Sequence, residues 1–290
     1  MKPAVFAYHA PRSVEEAVAL LADLGDGTKV LAGGQSLVPL LSLRLARFDH
    51  LVDVGRISSL KGVRREADAV VIGAATVDAA VEADKEVAAG APLLARATPL
   101  IGHFQIRTRG TVGGSIAHAD PAAEYPAVAL TLDAEMEAVS SRGSRWIPAG
   151  AFFRGFWSTD LAPDELLVSM RFPGWTGRCG FAVREFARRH GDFAIAGAAV
   201  AVRLDADDRI ERCAIGLLGL GPTPLRATAA ENEARGQKAD LTANELGQFA
   251  VSKLSDVPSD LHGPARYRAR VGAAMVARAW NEAIGEAMRG

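Results

Sequence analysis

Short apolar runs alternate along this chain with stretches in which apolar residues recur at helical spacing, and the alternation can be read element by element. Residues 5–8 form an apolar segment that predicts an opening strand. Ser13 stands three residues before Glu16, so hydroxyl and carboxylate can satisfy backbone donors that a new helix leaves free. Ala17, Val18, Leu20, Leu21 and Leu24 then share a helical face, and Gly25 is a natural stop. Residues 29–32 predict a buried strand running into Gly33-Gly34, residues 37–45 a second helix, and residues 51–54 a third strand. The opening therefore reads β-α-β-loop-α-β, with its glycine loop after the second strand.

Residues 63–65 and 69–73 predict a hairpin turning at Ala67-Asp68, and Thr76 is placed to cap the helical stretch after it. An apolar segment at 93–100 precedes a polar, glycine-rich loop at 107–115 and an apolar patch at 125–132. Residues 136–140 and 144–147 predict a hairpin closed by Arg142-Gly143, and residues 166–172 a strand ended by Pro173-Gly174. The Pro-Gly-Trp-Thr-Gly stretch at 173–177 is the expected domain boundary. Beyond it, residues 196–204 and 210–220 predict an antiparallel hairpin. The remainder is mostly helical, with one long segment from 266 to 288. Neither a fixed-period repeat nor a low-complexity segment is present.

At 290 residues, 49% of them hydrophobic, the chain is long enough for two domains and has ample material for a core. Its 33 basic and 34 acidic residues leave a net charge of −1, which gives no electrostatic case for nucleic acid or an anionic membrane. Cys179 and Cys213 are isolated, so neither a disulfide framework nor iron–sulfur ligation is expected. Without a signal-peptide pattern or an apolar run of about 18 residues, the chain reads as cytoplasmic with no membrane span.

Two glycine pairs are followed by a hydroxyl residue: Ala32-Gly33-Gly34-Gln35-Ser36 and Thr111-Val112-Gly113-Gly114-Ser115. Successive backbone N–H groups in such loops can hold a pyrophosphate, and glycine permits the close approach. Ser36, Thr111 and Ser115 add hydroxyls, while Lys29, Arg107 and Arg109 could offset the phosphate charge. Plain turns explain glycine pairs as well, and composition alone leaves the two readings level. Neither loop fits the G-x-G-x-x-G or G-x-x-x-x-G-K-[ST] pattern. The glycines from 216 to 221 read as a strand end and turn.

The segments Lys29-Val-Leu-Ala-Gly-Gly-Gln-Ser-Leu-Val-Pro39, Ile106-Arg-Thr-Arg-Gly-Thr-Val-Gly-Gly-Ser-Ile-Ala-His-Ala-Asp-Pro-Ala-Ala-Glu124 and Arg188-Arg-His-Gly-Asp-Phe-Ala-Ile195 closely resemble the FAD-binding medium subunit of the carbon monoxide dehydrogenase/xanthine dehydrogenase family of molybdenum hydroxylases. The resemblance covers essentially the whole chain. It implies an α+β fold: a vanillyl-alcohol-oxidase-type (PCMH-type) FAD domain of two α/β lobes, then a C-terminal α+β domain with a small antiparallel sheet. The expected divisions are 1–56 and 57–176 for the lobes and 177–290 for the C-terminal domain. By the same resemblance, Lys29, Val30, Leu31, Ala32, Gly33, Gly34, Gln35 and Ser36 line the FAD pyrophosphate and ribityl region. Thr111, Val112, Gly113, Gly114 and Ser115 line it from the other side. Ile101 matches a position that packs on the cofactor, Glu124 an acidic position suited to a sugar hydroxyl, and Leu167 an apolar contact on the adenine side. Arg184 matches a basic position, often lysine, near the flavin ring, and Phe193 an aromatic one beside it.

His118 and Asp120 lack a third ligand, so structural hydrogen bonding is expected of them rather than metal binding. The basic clusters Arg184/Arg188/Arg189/His190 and Arg266/Arg268/Arg270 read as solvated surface; the first, adjoining Gly191-Asp192-Phe193, is the better functional candidate, and the second could face a partner subunit. A complete hydroxylase of the resembled class needs two [2Fe–2S] clusters and a molybdopterin site, which two isolated cysteines cannot supply. The resemblance accordingly implies a small [2Fe–2S] subunit and a large molybdopterin subunit, assembled as a dimer of heterotrimers. Electrons from the clusters would reach FAD on this chain and leave to an external acceptor, with no acid–base catalysis here. The alternatives are a self-sufficient FAD-dependent oxidase, a non-redox nucleotide-binding assembly protein, and an interaction protein that has lost its cofactor.

Overall fold

Ser13 starts the first helix as its position suggests. Its Oγ accepts the Glu16 N–H at 3.1 Å, while the Glu16 carboxylate reaches the Arg12 N–H at 2.8 Å, one residue earlier than a capping box requires. The computed structural model describes residues 2–290, and Met1 of the expected first lobe lies outside them. Strand β1 (Ala7–His9) precedes helix α1 (Val14–Leu24), and then come β2 (Thr28–Leu31), α2 (Leu37–Ser42) and β3 (His50–Asp53). The three strands form a parallel sheet in the order β1-β3-β2. Being at the sheet edge, β2 is not the buried strand that its composition predicts, and none of its residues is fully buried. Ala17, Val18 and Leu21 of α1 pack with Val52, Ile57 and Leu60 beneath the sheet.

A hairpin of β4 (Val63–Glu66) and β5 (Ala69–Gly73) opens the next unit. Six short helices follow: α3 (Asp78–Ala83), α4 (Lys85–Gly90), α5 (Pro92–Ala97), α6 (Phe104–Arg107), α7 (Val112–His118) and α8 (Glu124–Thr131). The chain continues through β6 (Glu135–Ser140), β7 (Gly143–Pro148), α9 (Ala149–Phe152), the small hairpin β8 (Phe153–Gly155) and β9 (Ser158–Thr159), and β10 (Leu166–Pro173). Strand β10 inserts at the centre of an antiparallel sheet ordered β4-β5-β10-β6-β7. Two expectations change here. Thr76 does not cap a helix; its hydroxyl accepts the Gly62 N–H and donates to the Gly62 carbonyl. The expected loop at 107–115 is partly helical, because Thr111 caps α7 by accepting the Gly114 N–H at 3.0 Å.

The last sheet runs in chain order: β11 (Arg178–Phe186), β12 (Ala196–Leu204), β13 (Ile210–Leu218) and β14 (Leu225–Arg226). Helices α10 (Thr228–Ala234), α11 (Ala243–Ser252) and α12 (Ala265–Ala287) complete the chain. Strand alternation gives this sheet two working faces. Ala182, Val200 and Ile215 pack on α12 around Trp280, whereas Phe181, Val183, Ala199 and Ala201 join the core of Tyr125, Phe152 and Phe172. Arg96 of α5 clamps the junction by donating to Glu286 of α12 at 2.5 and 2.6 Å, and Glu286 also accepts the Phe181 N–H. Arg268 corrects another expectation, being only 5% exposed. It donates to the carbonyls of Ile195 and Gly219 and to Asp260, satisfying strand-end acceptors that would otherwise be buried without a donor. Arg266 and Arg270, on other faces of α12, are exposed. No described helix is long and apolar enough to cross a membrane.

Asp78 pins the second glycine loop to this scaffold. Its N–H donates to the Gly110 carbonyl at 2.9 Å, and Val77 bridges Thr111. The carboxyl group is 2% exposed, and its Oδ1 has no hydrogen-bond partner among the described residues. Burial pushes its pKa up to about 7 although Arg107 pulls the other way. An unfolded Asp titrates near 4, so between about 4 and 7 the folded chain holds the proton more tightly and stability falls as pH rises. Thermal melts at pH 5 and pH 8 should therefore show Asp78→Asn to be less pH-dependent and more stable at pH 8, by on the order of 2 kcal/mol. Parallel pH dependence in the two proteins would contradict a buried charge at this position.

Candidate functional site

The chain leaves the edge of the first sheet at the end of β2 and runs directly against the second glycine loop. A Cβ on Gly33 would overlap the Arg109 carbonyl oxygen and stand 2.8 Å from the Gly110 Cα, so only glycine allows this approach. Gly34 follows with φ of 73°, in the left-handed region, and the Gln35 side chain donates back to the Gly33 carbonyl at 2.9 Å. The Ala32 Cβ lies 3.4 Å from the position a Gly114 Cβ would take. Two motifs distant in sequence thus become the two walls of one site.

Their backbone donors are not equivalent, contrary to the expectation from sequence. In the second loop the N–H groups of Val112, Gly113, Gly114 and Ser115 are bound to Thr76 O, Ala74 O, Thr111 Oγ and Thr111 O, at 3.0–3.1 Å. In the first loop the N–H groups of Gly33, Gly34, Gln35 and Ser36 have no acceptor among the described residues. Residues 31–37 are all partly exposed, so these donors lie on a loop that water and ligands can reach. Ser36 begins α2 without a side-chain capping bond, which leaves its hydroxyl free too. The first loop therefore supplies backbone donors, and the second is the platform that holds it in shape. Four consecutive donors beside free hydroxyls suit the two phosphates of a dinucleotide such as FAD.

The cations divide in the same way. Arg107 is committed to structure: it donates to both Glu82 oxygens at 2.8 and 3.2 Å and to the Ile101 carbonyl at 3.2 Å. Lys29 and Arg109 are exposed, and neither forms an ion pair among the described residues. Lys29 lies 5.9 Å from the centre of the Phe48 ring.

Glu124, at the start of α8, has its pKa pushed up to about 8, by burial first and then by the charge of Glu185. Burial raises Glu185 itself to about 7, and its Oε2 has no partner. Glu185 is not singled out in the sequence; the side chain of its neighbour Arg184, which is, pairs with Glu282 of α12. The physical reason is strand alternation: Phe181 and Val183 face the flavin-domain core, so Glu185 does too, while Arg184 points to the opposite face. That alternation was a signal available in the sequence.

Leu167 is 5% exposed within β10 and forms part of the core wall behind the platform. Its neighbour Val168 accepts the Ala74 N–H, and Ala74 accepts that of Gly113. Val30 packs on the first core, Leu31 and Ile101 are partly buried, and Val112 and Gly113 are buried. Phe193 is 70% exposed on the loop between β11 and β12, beside Asp120 and Pro121. Asp120 accepts the Ala122 N–H at 2.9 Å, while the His118 ring stacks on Trp157. No group of three metal-binding side chains occurs among the described residues.

Residues 4–175 match the family model for the FAD binding domain in molybdopterin dehydrogenase, and residues 181–283 match that for the CO dehydrogenase flavoprotein C-terminal domain. The chain is 43% identical over 287 residues to subunit alpha of the 6-hydroxypseudooxynicotine dehydrogenase complex of Paenarthrobacter nicotinovorans, covering 98% of this chain and 96% of that protein. It is 39% identical to the carbon monoxide dehydrogenase medium chain of Hydrogenophaga pseudoflava, with 98% of each covered. The fold matches a solved structure of carbon monoxide dehydrogenase from that organism, in a form lacking the Mo-pyranopterin moiety of its cofactor. The TM-score is 0.95 at 40% identity, with 99% of each chain covered. An accessible row of backbone donors set in a fold matched along its whole length leads to one conclusion: the chain belongs to the family of FAD-binding medium subunits of molybdenum hydroxylases and is an oxidoreductase subunit.

Proposed function

We propose that Gly33, Gly34, Gln35 and Ser36 bind the FAD pyrophosphate through their N–H groups, and that this chain is the electron outlet of its complex. The observation carrying this reading is the row of four N–H donors without acceptors. Lys29 and Arg109 offset the phosphate charge from the rim, while the Ser36 and Ser115 hydroxyls add donors. Thr111, Val112, Gly113 and Gly114 fix the platform. Glu124 accepts a sugar hydroxyl, and Glu185 stands beside it as a second polar contact. Ile101 and Phe193 flank the ring end, and Leu167 backs the adenine side. Bound FAD would supply a carrier that takes up electrons singly from the clusters and delivers them to an external acceptor.

The partners in this reading are a small subunit with two [2Fe–2S] clusters and a large molybdopterin subunit, arranged as a dimer of heterotrimers in the cytoplasm. Support comes from relatives described as a medium chain and as a subunit of a complex, and from the two isolated cysteines of this chain. The same reading divides the chain after residue 176, in the gap between the residues matched by the two family models, 4–175 and 181–283.

Two variants separate donors from packing. Ser36→Ala should weaken FAD binding about tenfold, by loss of one hydrogen bond to a charged group, and leave the melting temperature of the FAD-free chain unchanged. Gly33→Ala should lower both, because its Cβ meets the Arg109 carbonyl. Fluorescence titration with FAD reads the affinity, and unaltered binding in both variants would remove the loop from the site.

Glu124 makes the site sensitive to pH. With its pKa at about 8, it is neutral below that value and charged above it, where it repels the phosphates. FAD affinity should hold from pH 6 to 7.5 and fall as pH rises through 8, whereas Glu124→Gln should be flat across the range. Matching profiles for the two proteins would exclude Glu124 from the binding surface.

A further inference from the structure

Arg268 lies in the first turn of α12 and is buried, while Arg266 and Arg270 beside it are exposed. Its guanidinium joins three separate segments. Nη1 donates to the Ile195 carbonyl at 2.6 Å and to the Gly219 carbonyl at 3.3 Å, and Nη2 donates to Asp260 at 2.5 Å. Asp260 stands in the turn before the helix, where its carboxylate also accepts the His262 N–H. The guanidinium beside it holds the Asp260 carboxyl below the usual carboxylate range. A buried ion pair is a costly choice for packing alone, since apolar side chains of similar volume fill such a place equally well. What the guanidinium adds is direction, because its rigid fork ties acceptors from three segments to one point.

Two of those segments lead to the proposed cofactor site. Ile195 closes the loop between β11 and β12 by donating its N–H to the Phe186 carbonyl at 2.8 Å, and Phe193 stands two residues before it. Gly219 follows β13 with φ of 72° and donates its N–H to the Pro121 carbonyl at 2.8 Å. Pro121 belongs to the segment that joins α7 to Glu124 at the start of α8. A Cβ on Gly219 would stand 2.7 Å from the Ile195 carbonyl oxygen, so this turn is pressed against the loop end that Arg268 holds. One buried guanidinium thus fixes the spacing between the loop bearing Phe193 and the segment that carries Glu124.

We infer that Arg268, aimed by Asp260, is a positioning residue for the flavin ring: it sets the separation of Phe193 from Glu124; the inference rests on the flavin-site reading above. Asp260 orients the guanidinium, and the guanidinium orients the loop end. Neither residue needs to touch the cofactor. Without the fork, the Ile195 and Gly219 carbonyls lose this donor and the loop bearing Phe193 is released at its base. The ring then changes its surroundings, while the phosphate cradle of residues 33–36, built on β2 and α2, keeps its shape.

The test uses the assembled complex carrying Arg268→Met, Arg268→Lys or Asp260→Asn, with Arg270→Ala on an exposed face of α12 as the control. Visible circular dichroism of the bound flavin and its midpoint potential, from anaerobic dithionite titration, read the surroundings of the ring. Thermal melting reads the fold. Arg268→Met should shift both the dichroic bands and the potential while FAD content stays at the wild-type level. Arg268→Lys should shift them too, because a single ammonium cannot reach the two carbonyls and Asp260 together. Asp260→Asn should give a smaller shift in the same direction, and Arg270→Ala none. Wild-type dichroism and potential in Arg268→Met and Asp260→Asn, with only the melting temperature lowered, would make the strut purely structural and overturn the proposal. Loss of FAD from Arg268→Met also overturns it, by making the strut a condition of binding rather than of ring position. If Arg268→Met does not assemble, Asp260→Asn decides alone, since asparagine still offers Nη2 an acceptor and the Asp260 side chain is 43% exposed. A wild-type complex without FAD would instead sink the flavin-site reading, and this proposal with it.

Discussion

The contact between the Gly33 backbone and the Arg109 carbonyl is the constraint on which the site depends. It brings an edge-strand loop of one sheet against a helix start that belongs to another. Because Thr111, Ala74 and Thr76 satisfy the second loop internally, that loop is rigid enough to serve as a template. The first loop is pressed onto it. Four consecutive backbone donors without acceptors among the described residues suit an anion, which is what supports the proposed phosphate site. Arg107, which looks like a phosphate ligand in the sequence, is instead bound to Glu82.

A second layer of the architecture sets what lies at the other end of the site. The sheet of β11 to β14 is not an appendage; its inner face completes the core of the five-stranded sheet while its outer face carries α12. Glu185 and the loop bearing Phe193 are delivered to the cradle from this sheet. The carboxyl groups of Glu124 and Glu185 both hold protons well above the usual carboxylate range, mainly because both are withdrawn from water. Held neutral, the two carboxyls avoid the mutual repulsion that two charged ones would impose.

Much of the fold was legible in the sequence because local signals agreed with tertiary needs. Ser13 and Gly25 bound α1 as capping chemistry requires, and the hairpin turning at Ala67-Asp68 formed in register; the second hairpin turns one residue earlier than expected, at Ser141-Arg142, with Gly143 already paired to Ser140. The expectations that changed were those in which a distant partner outweighed a local signal. Thr76 is taken by Gly62 rather than by a helix end, and Arg268 by strand-end carbonyls. The two glycine loops were recognisable as a pair, yet only the structure distinguishes donor from platform, since that depends on which N–H groups find acceptors across the fold. Which of Arg184 and Glu185 faces which core follows from a single residue of strand phase.

The two-faced sheet has a consequence for how such a chain can change over time. Cutting it near residue 176 would strip Phe181, Val183 and Ala199 from the flavin-domain core and expose an apolar surface on each fragment. Neither half is a free module, and recombination cannot trade one without remodelling the other. Redox partners and substrates can be exchanged around this subunit, but the subunit itself is inherited whole.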